Sequence, residues 1–267
     1  MGSVMAFQNY SIFRGIFNSP WAGWENFRFI FGHHAFIRVL TNTAIIAGGQ
    51  IFVGFPVPII LALLLNGVRL RIFKRLMQTI YYLPHFISWP ILAVIIFQVL
   101  SLNGPVNIVR SFLGMEPELF MQRISFFRPL VIISQIWKDA GWGSIVFLAA
   151  LAGIDPNLYE AAEIEGAGRF KKLIYITLPL LVPTIIVMFL LRIGNFLNLG
   201  FEQVWVLVRD MTLSVGDILP TFIYRSGIVE GNFSTTTAAG LFQSLFGLIL
   251  LLACNYAAKK TAGRGIF

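Results

Sequence analysis

From Thr41 to Leu65 the chain runs through an apolar stretch that contains no Asp, Glu, Lys, Arg or His. A helix rising about 1.5 Å per residue needs about 20 such residues to cross the hydrocarbon of a bilayer. The stretch does not stand alone: comparable runs predict five spans, at roughly 41–65, 79–101, 129–151, 173–198 and 237–257. Composition agrees, because 57% hydrophobic against 12% charged residues and a mean hydropathy of +0.78 leave too little charge to cover a soluble exterior. The expected fold class is therefore all-α, a polytopic membrane helical bundle. Pro56, Pro58, Pro84, Pro90, Pro179 and Pro183 lie in or near the runs and predict kinks whose freed carbonyls are met by neighbouring helices or water.

The net charge of +8 does not point to nucleic acid, since the cations sit singly or in short clusters between apolar runs, where membrane topology explains them. One set of loops holds Arg69, Arg71, Lys74 and Arg75, then Arg169, Lys171 and Lys172, then Lys259, Lys260 and Arg264. The opposite, longer set holds Arg14, Arg28, Arg38, Arg110, Arg123, Arg128, Arg209 and Arg225 at lower density. Short loops dense in Lys and Arg stay in the cytoplasm. The segment 152–172 and the C-terminal tail 258–267 are thus expected on the cytoplasmic side, and the membrane domain is expected over 41–257. Residues 1–40 interleave aromatics with Gly and Pro and read as an external or interfacial segment. An odd number of spans then calls for a sixth before Met5, so the N-terminus reads as cut or engineered. No cleavable signal peptide is visible.

Cys254 is the one cysteine, which excludes an internal disulfide and a thiolate metal cage. His33, His34 and His85 are too dispersed for a metal motif, and no metal ligand is assigned. There is no nucleophile elbow and no HExxH. The run GAGRFKK lacks the second glycine of a phosphate-binding loop, so the chain has no such means of holding ATP. Nothing marks it as an enzyme.

The stretch EAAEIEGAGRFKKLIYITLP, residues 160–179, stands out for its charge between apolar runs. Asp155 followed by Pro156 predicts a helix start, because Asp accepts from free amides and Pro is tolerated at the first helical position. Gly166 and Gly168 predict its end, since glycine takes the left-handed exit. The result is a short loop helix with Glu160 and Glu163 on one face and Leu158, Ala161, Ala162 and Glu165 on the next. Its small side chains permit close approach by a partner, and its carboxylates offer charge-assisted bonds.

Glu160, Ala161, Ala162, Gly166, Ile176, Leu178 and Pro179 match the spacing EAA, three residues, G, nine residues, I, one residue, LP. On these residues the chain resembles the membrane subunits of binding-protein-dependent ATP-binding-cassette importers. The phrases SPWAGWENF, YYLPHFISW, QIWKDAGWGSIVFLAALAGIDPNLYEAAEIEGAG and GFEQVWVL look most like the polysaccharide and oligosaccharide branch, alginate-type importers included. The resemblance implies a type I importer permease fold. It also implies that Glu160, Ala161, Ala162, Gly166 and Pro179 belong to a coupling helix docking on an ATPase. The implied partners are a second homologous permease in a heterodimer, two cytoplasmic ATPase subunits that bind ATP and Mg, and an external solute-binding protein.

Polar side chains inside apolar runs are costly and tend to face cavities or helix partners. Asn195, Asn198, Glu202 and Gln203, with Ser234, Thr237, Gln243 and Ser244, are the expected substrate path. Their amides and hydroxyls suit sugar hydroxyls, which both donate and accept. Phe201, Trp205 and Phe242 are placed to stack on sugar faces. Each polar residue has a plain alternative, as Asn often bridges helices and Ser or Thr bonds its own turn. Lys138 and Asp139, adjacent in the third run, read as structural and paired to neighbours. The function expected is import of an oligosaccharide or polysaccharide by alternating access. The alternatives are a permease for a disaccharide or polyol phosphate and, in another class, a channel or scaffold.

Overall fold

The computed structural model describes residues 2–262. Arg264 and the rest of the tail from 263 lie outside the described residues. Helix dominates, and among the described residues the one β-bridge joins Gln8 to Trp21. The helices used below are α1 (Glu25–Gly32), α2 (His34–Phe52), α3 (Pro56–Gly67), α4 (Arg71–Tyr82), α5 (Trp89–Val99), α6 (Pro105–Phe112), α7 (Ile124–Ala152), α8 (Pro156–Ile164), α9 (Leu178–Gly194), α10 (Phe201–Leu207), α11 (Leu219–Tyr224) and α12 (Phe233–Ala262).

Three helical stretches are long and apolar enough to cross a membrane: His34–Gly67, Arg169–Gly194 and Phe233–Lys260. Only about a fifth of each apolar window is buried, 22%, 17% and 22% respectively. Ile60, Leu64, Leu191, Leu245, Leu248 and Leu252 point outward. Exposed aliphatic faces on this scale fit a lipid solvent, in which side chains outside the bundle need no burial. Two further stretches qualify as bent pairs: Arg71–Phe86 with Trp89–Val99, bent by 102°, and α7 with α8, bent by 66°.

The expected spans are altered in three places. The first starts at His34, well before Thr41. The second, expected as one run over 79–101, is broken before Trp89, because Ser88 adopts the extended N-cap conformation and Pro90 starts a new helix. The fourth ends at Gly194, and Phe196–Asn198 form a 3-10 turn beyond it. The prolines are distributed accordingly: Pro56 and Pro90 start helices, Pro84 lies in a 3-10 turn, and Pro129 and Pro183 lie inside α7 and α9.

The chain divides into two compact units. The first comprises Met1–Gln50, Ile87–Gln135 and Asn195–Ile249. One of its cores joins Ala6, Ile30, Phe36 and Val39 to Leu197, Leu219, Ala238 and Ala239, so the N-terminal segment is packed rather than pendant. Its other core gathers Ile46, Ala93, Phe127, Val131, Val204, Leu207 and Ile218. Asn26, buried on α1, donates to the carbonyls of Ala6 (2.9 Å) and Gln8 (3.1 Å) and closes the N-terminal turn.

The second unit comprises Ile51–Phe86, Ile136–Gly194 and Leu250–Phe267. Its core is Ala62, Phe147, Leu151 and Leu181, with Phe55 and Ile185 packed against it. Close helix approach depends on glycine: a Cβ on Gly141 of α7 would overlap the backbone carbonyl of Tyr81 in α4.

Candidate functional site

The loop 152–172 builds a defined surface. The Asp155 carboxylate accepts from the Asn157 amide at 2.9 Å, and Pro156 occupies the first turn of α8. At the other end the Gly166 amide reaches the Glu163 carbonyl (3.0 Å) and the Ala167 amide reaches that of Ala162 (2.8 Å). This pair of bonds is a Schellman closure, and Gly166 supplies its left-handed residue at φ +75°. Gly168 does not share that role: its backbone is extended, and it starts the following turn Arg169–Lys172.

Glu160 and Ala161 are exposed on α8, and Ala162 is half-buried. Leu158, Ala161, Ala162 and Glu165 line a groove of about 430 Å³ together with Tyr175 and Ile176. Glu163 is engaged internally, its Oε2 accepting from Lys172 Nζ at 2.7 Å. That bond, the Lys172 charge and a smaller contribution from Arg69 hold the Glu163 carboxyl below its ordinary value. Tyr159 Oη meets Thr177 Oγ1 at 3.0 Å and ties α8 to the start of the next span. The residues Leu173–Thr177 form a π turn, and Pro179 follows, exposed, as the second residue of α9.

The polar residues of the expected substrate path all fall in the first unit, but they do not form one set. Gln203 is wholly buried. Its Nε2 donates to Val131 O (2.6 Å) and Ser134 Oγ (2.8 Å), and its Oε1 accepts from Gln50 Nε2 (3.1 Å). It faces no cavity here; the amide joins α10 to α7 and α2. Gln243 donates to Leu197 O at 3.0 Å and to Asn198 Oδ1, bridging α12 to the turn after α9. Ser234 Oγ accepts from the Tyr10 amide at 2.8 Å and fastens the N-terminal segment. Asn195 and Glu202 are exposed and do not line the cavity that Thr237, Gln243 and Ser244 share.

That cavity, of about 650 Å³, is lined by Phe201, Tyr224, Thr237, Gln243 and Ser244, with Gly240 leaving open space on its α12 wall. Phe201 stacks on Trp205 at 6.2 Å between centroids, and Tyr224 meets Trp205 edge-on at 4.7 Å. The Thr237 and Ser244 hydroxyls in the same lining donate to their own helix, at Phe233 O (2.7 Å) and Gly240 O (3.0 Å), and keep their acceptor lone pairs for a ligand. Phe242 packs on Phe31 and Phe36 instead, at 5.2 and 6.1 Å. Tyr224 is passed over by the sequence reading because it lies outside every apolar run; its aromatic type was the one available signal.

In the second unit, Lys138 and Asp139 hold the break after α4. Lys138 Nζ donates to the carbonyls of His85 (2.6 Å) and Pro84 (3.4 Å) at that helix end. Asp139 Oδ1 meets His85 Nδ1 at 3.1 Å, and the His85 ring stacks on Trp142 with centroids 4.7 Å apart. Both charges are paired to neighbours. Among the described residues no cluster of His, Cys, Asp or Glu is arranged to hold a metal ion.

Comparison with known proteins identifies this combination of apolar helices and a capped polar loop. The Bacillus subtilis (strain 168) protein LplB is 45% identical over 267 residues, covering 100% of this chain and 84% of the relative. The polygalacturonan/rhamnogalacturonan transport system permease protein YteP of the same organism is 42% identical over 267 residues, again 100% of this chain and 83% of the relative. A chain in the crystal structure of a bacterial alginate ABC transporter, in complex with an alginate pentasaccharide-bound periplasmic protein, superposes with a TM-score of 0.92. The two share 38% identity, over 99% of this chain and 88% of that one. The family model for the binding-protein-dependent transport system inner membrane component matches residues 54–262, and the chain belongs to that family of importer permeases.

Proposed function

We propose that the chain is the transmembrane subunit of an ATP-driven importer that receives an oligosaccharide or polysaccharide from an external, periplasmic binding protein and moves it by alternating access. The observation that carries the saccharide reading is the cavity in the first unit, lined by Phe201 and Tyr224 together with Thr237 and Ser244. Two of the similar proteins transport polygalacturonan/rhamnogalacturonan and alginate, as their names state, which supports a saccharide here. Of the eight expected path residues, Thr237, Gln243 and Ser244 line this cavity. Asn195, Asn198, Glu202, Gln203 and Ser234 are assigned no contact with the sugar in this conformation.

Energy enters through α8. Exposed Glu160 and Ala161, beside the groove, form the surface offered to a cytoplasmic ATPase. Two such ATPases, carrying ATP and Mg, and a second homologous permease in a heterodimer complete the assembly. The chain lies in the bacterial inner membrane with its C-terminus in the cytoplasm. The test is reconstitution of the whole complex, with substrate-loaded binding protein expected to stimulate both ATPase activity and saccharide uptake. Glu160→Lys places a like charge against a docking surface that accepts a carboxylate, and Gly166→Val forces a branched side chain into the left-handed region at a cost of about 1–2 kcal/mol. Both variants should assemble in the membrane and lose stimulated ATPase activity together with uptake. Full coupling in both would refute the assignment of α8.

A further inference from the structure

At about 100° per residue, Ile108, Val109, Phe112 and Leu113 at the end of α6 share an arc of about 140° on one side of the helix. None of the four carries a side-chain donor or acceptor. An amphipathic helix on a soluble protein turns such a face toward the core. This one turns it outward: Ile108 is 49% exposed, Val109 58%, Phe112 86% and Leu113 68%. The polar side is the one that meets the protein. Asn107 is buried, donates to Ser101 O and Glu118 O, both at 2.9 Å, and accepts from the Glu118 amide at 2.8 Å. Arg110 donates to Glu116 O at 3.1 Å and meets Glu118 Oε2 at 3.5 Å. Rolling the helix to bury Phe112 would strand the Asn107 amide, so these bonds hold the apolar face out.

Gly104 sets where that face lies along the span. A Cβ there would overlap the carbonyls of Gln98 and Val99, so the start of α6 is seated on the last turn of α5. The Gly104 amide closes the intervening turn on Ser101 O at 2.9 Å. α5 has an outward aliphatic stripe of its own, Ile91, Val94 and Ile95 at i, i+3 and i+4, of the kind that lipid covers. We propose that α6 is an interfacial helix, with Ile108, Val109, Phe112 and Leu113 set into the bilayer where α5 leaves it and the polar side carrying the loop from Ser101 to Glu118. Phospholipid at the boundary of headgroup and acyl chain accepts a face without hydrogen-bonding groups. A soluble partner that must release fits it poorly, since transient contacts are about as polar as the rest of a protein surface. Loop charge assigns this end of the span to the outer leaflet.

The test places one nitroxide at a time on the full complex in proteoliposomes, in a Cys254→Ser background. Val109→Cys and Phe112→Cys carry it on the apolar face, and Ser111→Cys carries it on the exposed polar side. Saturation is measured against oxygen, which concentrates in lipid, and against a nickel chelate, which stays in water. The Val109 and Phe112 positions should be open to oxygen and shielded from nickel, about 5–10 Å inside the headgroup boundary, with Ser111 open to nickel. Adding the external binding protein should change neither reading. Nickel access at Val109 and Phe112 equal to that at Ser111 would overturn the proposal by placing the face in water. Shielding from both reagents would overturn it by assigning the face to another chain: the second permease if it is present throughout, the binding protein if it follows that addition. The unaltered complex gives a reading free of labels. A phospholipid with a diazirine near the top of its acyl chain should mark the segment 108–113 as well as the 91–95 stripe, and marking of the stripe alone would also overturn the assignment.

Discussion

Replacing Gln203 by Leu distinguishes a helix bridge from a ligand contact. In the unaltered chain Gln203 accepts from Gln50 at 3.1 Å and donates to Val131 O and Ser134 Oγ. Ser134 Oγ keeps its own bond to Leu130 O at 2.6 Å, and Val131 O is a helix carbonyl, so neither is stranded by the change. Gln50 is stranded: it is 1% exposed, and its Oε1 already has no partner. A buried amide left unpaired costs about 1–3 kcal/mol. At about 2–4 °C per kcal/mol for a domain of roughly 150–250 residues, the apparent Tm of the purified complex should fall by about 2–12 °C. The double variant Gln50→Leu with Gln203→Leu removes both stranded and satisfied groups and should recover the loss, melting at or above the unaltered complex. Uptake per folded complex should stay within twofold throughout. A selective fall in uptake at unchanged melting, with no recovery in the double variant, would refute the reasoning and return Gln203 to the substrate path.

Three further outcomes are expected. Gly141→Ala should push α4 from α7, because the new Cβ overlaps the Tyr81 carbonyl; overpacking of this kind costs about 1–3 kcal/mol, and an unchanged Tm would contradict it. Glu163 has a folded-state pKa below its unfolded value, so the stabilisation from its Lys172 pair is complete above the unfolded carboxylate value, about 4.3, and is lost as pH falls through the lower folded value. Amide protection over residues 163–172 should therefore be flat from pH 6 to 8 and drop only in acid, whereas a drop between pH 6 and 8 would contradict the pairing. In a Cys254→Ser background, cysteines placed at Arg71 and Lys259 should react only from the cytoplasm and those at Pro105 and Asn232 only from outside; labelling at Lys259 by an impermeant reagent in intact cells would invert the topology.

The loop 152–172 was legible because its signals are local. Asp155 and Pro156 set one end of α8 and Gly166 the other, each acting on amides or dihedrals within a few residues. The long apolar runs were legible for the same reason, since hydropathy sums along the chain. The break after α4 escaped because a window over 79–101 averages two helices that point in different directions; Ser88 before Trp89 and Pro90 was the cap signal inside it. Gln203 and Gln243 escaped because an amide in an apolar run looks the same whether it meets a sugar or another helix. Only their partners, Gln50 and Val131 or Leu197 and Asn198, tell the two apart, and these lie from 45 to 153 positions away.

The π turn at Leu173–Thr177 has a consequence for how this family of chains can change length. A π turn holds one residue more than an α turn, so deleting any one of these five residues would let the segment relax to ordinary α geometry without breaking a helix. The lost residue is the surplus one, so everything before it would keep nearly its bearing on α9; a residue deleted from the α turn Arg169–Lys172 would instead rotate it by about 100°, the angle one residue subtends. That rotation would break the Tyr159 to Thr177 hydroxyl contact and swing the exposed face of Glu160 and Ala161 to a new bearing. The surplus residue thus gives the joint one place where its length can change without changing its angle.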